Sequence, residues 1–142
     1  MDYYFENNKR YYKFKGKLHK KIILGFTNYT KHIVNKHPEI NISILEEVIC
    51  NPDYIYKTSI NSEDFYYEKV IGEDIYRVVI SRFKKNVKEV ITAYKSNNTD
   101  KFTTKHIRCI YDKKIYIKYE DFYRELEYDI DYFYEAFSAA DD

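Results

Sequence analysis

The chain contains 142 residues, of which 44% are hydrophobic and 33% are charged, and its formal net charge is +1. These values exclude a disordered class and indicate one globular domain, large enough to bury a core without covalent cross-links. No apolar run approaches the length of a membrane span, and the first residues, MDYYFENNKR, do not form a signal peptide, so we expect a cytoplasmic protein with no membrane partner.

The first part of the chain is predicted to place strand-forming residues before two helices. The segment 1–21 interleaves basic and aromatic side chains, which favours a short strand or a hairpin, and KIIL at 21–24 predicts a strand. Residues 27–36 have helical spacing, and His37 should end that helix because it precedes a proline. A second helix is expected to begin with a capping-box pattern at Ser43.

The middle of the chain changes to the composition of β-strands. Four short runs are rich in Val, Ile, Tyr and Phe: DYIYKTS, DFYYEKVI, DIYRVVISRF and VKEVITAYK. The short polar breaks between them predict an antiparallel meander, and KIYIKY at 114–119 allows a fifth strand. The expected fold class is therefore α+β, with N-terminal helices packed on a four- to five-stranded antiparallel sheet.

The C-terminal residues 120–142 are predicted to form an acidic amphipathic helix. Its apolar stripe is spaced by three or four residues and consists of Phe122, Leu126, Ile130, Phe133 and Phe137. Residues 1–119 carry a net charge of +9, whereas residues 120–142 carry −8. The basic part indicates a polyanionic partner. The acidic helix then either masks the basic surface, docks a neutralising partner, or lies solvated on the far side.

Cysteine usage and known motifs give no support for a cofactor. Cys50 and Cys109 form no disulfide framework and are expected to be reduced thiols. The sequence contains no CxxC, no HExxH and no glycine-rich phosphate loop, so we expect neither a metal nor a nucleotide cofactor.

Two of the four histidines, His32 and His37, lie in one predicted helix, and imidazole is the side chain best suited to proton transfer near neutral pH. Five residues on an α-helix correspond to a rotation of about 140°, so the two rings should point in different directions. His37 falls on the apolar face, which predicts a packing or capping role. His32 lies off that face, so we expect it to turn toward the sheet edge.

The last two strands of the meander provide further candidates. A three-residue loop at KKN would pair Phe83 with Val87, and hence Tyr76 with Tyr94, Val78 with Thr92, Ile80 with Val90 and Arg82 with Lys88. This face combines aromatic, hydroxyl and basic groups, as an RNA-binding surface does, although β propensity explains the same residues. A slip of one residue would move Arg77 to the Thr92 face. The candidates for RNA binding are His37, Lys57, Tyr76, Arg77, Arg82 and Lys88.

Four blocks follow one another in the chain: KHIVNKHPEI, ILEEVICNPDYIYKT, YRVVI and EVITAY. This series resembles the phage-type branch of the barnase–EndoU–colicin–RelE-like nucleases over residues 22–95. The resemblance implies N-terminal helices on a four-stranded antiparallel sheet and a metal-independent ribonuclease activity. It implies His32, Thr92 and Tyr94 as active-site residues. The chain would then be one domain, 1–142, with segments 1–21 and 120–142 outside the nuclease-like core.

These observations lead to three functional hypotheses. The first is an RNA-cleaving toxin of a phage, mobile element or toxin–antitoxin system, which uses general acid–base catalysis for transesterification at the ribose 2′-OH. The second is a non-catalytic RNA- or protein-binding module of the same fold. The third is a structural protein whose 18 tyrosines fill core and surface. RNA is the expected partner, with an antitoxin or immunity protein as a second one.

Overall fold

The structure, a computed structural model, describes residues 2–57, 63–96 and 108–115. The chain divides into two compact units, residues 1–111 and residues 112–142. Every site discussed below lies in the first unit. The predicted acidic helix at 120–142 lies outside the described residues.

Eight strands form one mixed sheet in the order β1-β2-β3-β7-β6-β5-β4-β8. The strands are β1 (Asp2–Glu6), β2 (Lys9–Phe14), β3 (Ile22–Gly25), β4 (Tyr54–Lys57), β5 (Phe65–Ile71), β6 (Asp74–Lys84), β7 (Val87–Ser96) and β8 (Arg108–Asp112). A helical segment of α1 (Phe26–Asn28), a π turn (Tyr29–Ile33) and α2 (Val34–Lys36) follows β3, and α3 (Ile42–Cys50) precedes β4.

The predicted fold class is wrong in its layers and in the size of the sheet. The described chain begins with strands rather than helices, and α1, the π turn, α2 and α3 are short and lie between β3 and β4. The N-terminal strands join the meander because β3 pairs in parallel with β7, through Ile22–Lys88 and Ile23–Glu89. This pairing connects residues that are far apart in sequence, and it adds three strands to the meander of four, while β8 joins the sheet at the opposite edge, beside β4.

The N-terminal segment forms a hairpin, as its composition predicted. β1 and β2 are antiparallel, with Glu6 opposite Lys9, and the two residues between them are Asn7 and Asn8. Both asparagines have positive φ, at 51° and 62°. Two such residues make the turn whose twist fits a two-residue hairpin, and asparagine tolerates this backbone conformation well. The turn places Lys9 and Arg10 at the exposed start of β2.

The helical segment after β3 ends where the sequence predicted. α2 ends at Lys36, and His37 is the C-cap residue before Pro38. The predicted N-terminal cap of α3, Ser43, is wrong by two residues. Asn41 is the N-cap, because its side-chain oxygen accepts a hydrogen bond of 2.8 Å from the Ile44 N–H.

The β6–β7 hairpin departs from the predicted register at two places. The turn contains two residues, Lys85 and Asn86, so that Lys84 pairs with Val87. Arg82–Lys88 and Ile80–Val90 pair as expected, but a β-bulge then leaves Ile91 unpaired. Beyond the bulge, Val79 pairs with Thr92 and Arg77 pairs with Tyr94. The predicted pairs Tyr76–Tyr94 and Val78–Thr92 are therefore wrong, and Arg77 lies on the Thr92 face.

The two faces of the sheet carry apolar clusters of different size. The larger cluster packs α3 and the helical segment against one face, with Leu24, Leu45, Ile49, Tyr67, Val78 and Ile80 among its most buried members. The smaller cluster lies on the other face and consists of Tyr11, Ile23 and Val87, with Tyr4 and Phe83 against it. Apolar side chains are therefore buried on both faces of the sheet, which holds the strands in their register. Polar side chains remain at the ends of the strands.

The end of the described chain differs from the prediction. Strand β8 lies at Arg108–Asp112, outside the runs that the sequence predicted to be strands. Residues 113–115 are helical, so they do not begin the strand predicted at 114–119, and residues 116–119 lie outside the described residues.

Candidate active site

A cleft of 770 Å³ opens between the β1–β2 turn, the start of the helical segment and strand β7. We call it the His32 cleft. Its polar lining consists of Asn8, Lys9, Arg10, Thr27, Asn28, His32 and Glu89, and its other walls are Tyr11, Gly25, Phe26, Val90 and Ile91. The cleft therefore brings one imidazole, one carboxylate and two cationic side chains to a common space.

The π turn carries His32 into this cleft. The helical segment is held against β7 at its start, where the Asn28 side-chain amide donates to the Val90 carbonyl oxygen at 3.0 Å. It is held against β2 by Phe26, whose ring stacks on Tyr12 with a centroid distance of 4.2 Å. A π turn widens the backbone relative to an α-helix, and such turns are frequent at functional sites. His32 is exposed within it, free to meet a ligand.

Glu89 is the carboxylate of the cleft, and β7 holds it partly away from water. It pairs with Ser81 on one side and with Ile23 on the other, so neighbouring strands flank it. Burial raises the pKa of the Glu89 carboxyl above its ordinary value. Burial also raises the pKa of Tyr11, and the negative charge of Glu89 contributes to that shift. Glu89 is thus a carboxylate with increased basicity beside a hydroxyl that stays protonated.

Lys9 and Arg10 supply positive charge at the rim of the same cleft. Both are exposed, and their position follows from the tight turn at Asn7 and Asn8. An arginine donates in a planar fork that fits a phosphate, and a lysine acts as a compact charge. A base, an acid and cationic donors around one space are the groups required to transfer a phosphoryl group without a metal.

The sequence prediction named His32 and did not name its neighbours in the cleft, Glu89, Lys9 and Arg10. The sequence contained a signal for Glu89, because residues two apart in a strand point to the same face of the sheet. Glu89 therefore lies on the same face as the apolar Val87, which places a carboxylate on a partly buried surface. A signal for Lys9 and Arg10 was the Asn7–Asn8 dipeptide, which is typical of a tight hairpin turn. Their meeting with His32 depends on the parallel β3–β7 pairing, which no local pattern indicates.

Thr92 and Tyr94 lie on one face of the sheet with Arg77, and neither lines the His32 cleft. Arg77 is buried, and its Nε donates to Glu68 Oε1 at 2.8 Å while Nη1 donates to Ser96 Oγ at 3.0 Å. Arg77 also hydrogen-bonds the Tyr94 side chain. These residues form a hydrogen-bonded network within the sheet. Arg77 thus binds other side chains of the protein, whereas the sequence predicted that it contacts RNA.

His37, rather than His32, contacts Tyr94. The two rings have a centroid distance of 6.2 Å, and His37 Nδ1 lies 3.8 Å from Glu39 Oε1. The helix-wheel expectation assumed the rotation of an α-helix, and the π turn changes that rotation between His32 and His37. His37 is also the C-cap residue, with a backbone that is no longer helical, so a helix wheel does not place its ring. His32 lines the cleft with Glu89, and His37 lies against Tyr94 near the end of β7.

The other basic candidates gather around a second cleft of 660 Å³, on the opposite side of β7. We call it the basic cleft. Arg82 and Lys88 line it, together with Leu18, His19, Lys20, Glu63, Lys84, Lys85 and Asn86. Lys57 lies beside it, with its Nζ 5.4 Å from the centroid of the Phe65 ring. Tyr76 does not belong to either cleft, because it packs against the larger apolar cluster.

Comparisons with protein-family models, with curated proteins and with solved structures return no match. Within residues 2–57, 63–96 and 108–115, no helix has both the length and the apolar character needed to cross a membrane. In the same residues, no three His, Cys, Asp or Glu side chains are grouped so that they could hold a metal ion.

Proposed function

We propose that the protein is a metal-independent endoribonuclease whose active site is the His32 cleft. The observation that carries this proposal is the presence of His32 and the half-buried Glu89 in one cleft with Lys9 and Arg10. An imidazole and a half-buried carboxylate, beside two cations, match the requirements of RNA transesterification.

The proposed reaction moves one proton at each end of a phosphodiester. Glu89 accepts the proton of the ribose 2′-OH, and the 2′ oxygen attacks phosphorus. The bond between phosphorus and the 5′ oxygen breaks, and His32 in its imidazolium form donates a proton to that oxygen. The products are a 2′,3′-cyclic phosphate and a free 5′-OH. Lys9 and Arg10 stabilise the additional negative charge on the phosphate oxygens.

The assignment of acid and base follows from the surroundings of the two side chains. Burial raises the pKa of the Glu89 carboxyl, so its carboxylate is a stronger base than an exposed one. His32 is exposed, and histidine is the side chain that acts most often in general acid–base catalysis. With these roles the rate of cleavage has a bell-shaped dependence on pH. Glu89→Gln removes the acidic limb, and His32→Gln removes the basic limb.

The resemblance to the phage-type barnase–EndoU–colicin–RelE-like nucleases supports the same reaction class and extends the proposal to a toxin of a phage, mobile element or toxin–antitoxin system. Its first histidine, His32, is the one that lies in the cleft with Glu89. We propose that Thr92 and Tyr94 act next to the cleft, since Thr92 follows the lining residue Ile91. An RNA substrate would place the action in the cytoplasm, where an antitoxin or immunity protein would be the second partner.

The test is RNA cleavage in the presence of EDTA by the wild type, His32→Gln, Glu89→Gln and the control Asn35→Ala. Asn35 is an exposed residue of the same helical segment and lines neither cleft. We expect each active-site variant to cleave at least roughly a hundred-fold more slowly, since one positioned acid or base contributes about that factor. The control should cleave at the wild-type rate.

The same assay distinguishes the catalytic hypothesis from the binding module. Wild-type protein that binds RNA with a steep dependence on salt but produces no cleavage would identify a non-catalytic RNA-binding module. Undiminished cleavage by His32→Gln would remove His32 from the mechanism. Induced expression of the wild type and of His32→Gln in growing cells then tests whether cleavage arrests growth.

A further inference from the structure

The basic cleft has a strong excess of positive charge at the end of the sheet. Five cationic side chains line it: Lys20, Arg82, Lys84, Lys85 and Lys88. Glu63 is the one carboxylate among the lining residues, and it binds Lys88 at 2.8 Å. Lys84 binds Glu6 at 2.8 Å. For Lys20, Arg82 and Lys85 no ion pair with another described residue is present, and all three are exposed.

The same cleft contains a histidine that is fixed in one neutral form. The Tyr67 hydroxyl accepts hydrogen bonds from the backbone N–H groups of Leu18 and His19, at 3.3 and 3.2 Å. Its own proton is therefore donated to His19 Nδ1, which lies 2.7 Å away. The proton of the neutral ring consequently resides on Nε2. Burial, and secondly the charge of Lys88, lowers the pKa of His19 to about 4, so the ring is neutral at pH 7.

The backbone holds this arrangement rigidly. Gly16 N–H donates to the His19 carbonyl oxygen at 3.0 Å, which closes the turn that carries His19. A Cβ on Gly16 would lie 2.5 Å from that oxygen and 2.5 Å from Ile22 Cδ1, so only glycine fits. The His19 ring also packs on Phe65, with a centroid distance of 4.3 Å. A neutral N–H donor in a fixed position among cations suits a phosphodiester oxygen.

We infer that the basic cleft binds the phosphate backbone of the RNA strand at a position separate from the cleavage cleft, with His19 as a directional donor and Lys20, Arg82 and Lys85 as the cations. This inference rests on the proposed function for the identity of the polyanion. Lys88 and Glu89 are consecutive in β7, so the two clefts lie on opposite faces of the sheet. Lys84 lines the basic cleft and binds Glu6 of β1. Its side chain therefore lies where an RNA strand would pass around the end of the sheet, from one cleft to the other.

The charge at this cleft favours RNA over an acidic protein. The three exposed cations form no ion pair with a described residue, although the charge of Arg82 acts on Glu63 across the cleft. A single strand of RNA offers an uninterrupted row of phosphates to these cations. The strand needs only its backbone for this contact, so the basic cleft adds affinity without reading the base sequence. An acidic polypeptide is the competing occupant, and the experiment includes it.

The test measures binding of a fluorescent single-stranded RNA in which every 2′-OH is methylated. This probe cannot undergo transesterification, so binding is observed whether or not the protein is a nuclease. We compare the wild type with Arg82→Ala/Lys85→Ala over a series of salt concentrations. Removal of two phosphate contacts should reduce the slope of log affinity against log salt by about 1.4. The matched control is Lys15→Ala/Lys95→Ala, since both lysines are exposed and line neither cleft.

A second variant tests the role of His19 separately from charge. His19→Asn keeps an acceptor for the Tyr67 hydroxyl, but its shorter amide does not reach the place of Nε2. We expect an affinity for the methylated RNA roughly ten-fold lower, with an unchanged salt slope, because a neutral donor to a phosphate is lost.

Two results would overturn the inference. One is an Arg82→Ala/Lys85→Ala protein that binds the methylated RNA with the affinity and the salt slope of the wild type. The other is a poly-glutamate peptide that competes as well as RNA at equal charge concentration, which would assign the cleft to an acidic protein. Neither result depends on catalysis, so failure of the proposed ribonuclease activity remains distinguishable from failure of this inference.

Discussion

Glu89 is a carboxylate that the fold holds partly out of water although no described residue forms an ion pair with it. Its pKa is raised in the folded state, so its contribution to stability is present below the unfolded pKa and is lost as the pH rises through the folded pKa. The ionised form of Glu89 therefore weakens the fold. A residue that reduces stability and lines a cleft is typical of a functional site.

Replacing Glu89 should consequently move stability and activity in opposite directions. We expect Glu89→Gln to raise the midpoint of urea unfolding at pH 7, because an amide has no charge to desolvate, while RNA cleavage falls. Urea unfolding followed by circular dichroism measures the first effect. A lower midpoint than that of the wild type would show that Glu89 stabilises the fold and would count against a catalytic role.

His19 makes the fold sensitive to acid. Its pKa in the folded protein is about 4, against about 6.5 for an exposed histidine, so its contribution to stability is present above pH 6.5 and is lost as the pH falls toward 4. After allowance for partial contact with solvent, the loss should be on the order of 2 kcal/mol. Unfolding free energies at pH 7 and pH 4.5 measure it. In His19→Asn the difference between the two pH values should shrink by about that amount.

Among the residues of the His32 cleft, the sequence pointed to the histidine and not to the carboxylate. His32 is recognisable because histidine is rare in the chain and suits proton transfer. Glu89 is one of 23 acidic residues, and it is distinguished only by lying on the same face of its strand as the apolar Val87. Its raised pKa depends on the strands on either side, and the parallel neighbour β3 is fixed by tertiary structure alone.

At the scale of elements, the π turn and the bulge at Ile91 decide which side chains meet. Both insert one extra residue into a regular element, and both lie next to the His32 cleft. A regular helix and an uninterrupted hairpin were the expectations from periodicity. Periodicity assigns an element and its faces, but a single inserted residue changes every face beyond it. This is why Arg77, Thr92 and Tyr94 were assigned partners that the structure does not give them.

The strands β5 and β6 are joined by a buried ion pair. Glu68 and Arg77 are opposite each other, and their side chains are 9% and 7% exposed. Loss of one member leaves a buried charge without its counter-ion, so Glu68→Gln should lower the free energy of unfolding by about 3 kcal/mol. The double variant Glu68→Gln/Arg77→Met should lose less than the sum of the single losses.

A comparable substitution at the surface provides the control. Asp74 and Lys95 are 3.9 Å apart and exposed, so Asp74→Asn should change the free energy of unfolding by less than about 0.5 kcal/mol. All variants are measured by urea unfolding at one salt concentration. Additive losses for Glu68→Gln and Arg77→Met would mean that the two residues act separately.

At the scale of the whole molecule, the amino-acid sequence predicted the strands of the meander, the N-terminal hairpin and the helix that ends at His37. It did not predict how they join, because the parallel β3–β7 pair links residues 22–23 to residues 88–89. That one pairing produces both clefts. It brings the hairpin turn to β7 on one face, and it places His19 near Lys88 on the other.

The two clefts together predict a dependence of cleavage on substrate length. If the His32 cleft is the cleavage site, we expect a dinucleotide to occupy that cleft alone and a longer strand to reach the basic cleft as well. Arg82→Ala/Lys85→Ala should therefore raise the KM for a long RNA and leave the cleavage of a dinucleotide unchanged. Steady-state kinetics with the two substrates measures this difference. An equal effect on both substrates would place Arg82 and Lys85 in the cleavage site itself.

The central claim is that the His32 cleft cleaves RNA through the ribose 2′-OH. Its most direct measurement uses a DNA oligonucleotide that contains a single ribonucleotide, incubated with wild-type protein in EDTA and resolved by mass spectrometry. We expect cleavage only on the 3′ side of the ribonucleotide, with a 2′,3′-cyclic phosphate on one product and a 5′-OH on the other, and cleavage at least roughly a hundred-fold slower by His32→Gln and by Glu89→Gln. Cleavage at deoxynucleotides, or products that end in a 5′-phosphate, would contradict it.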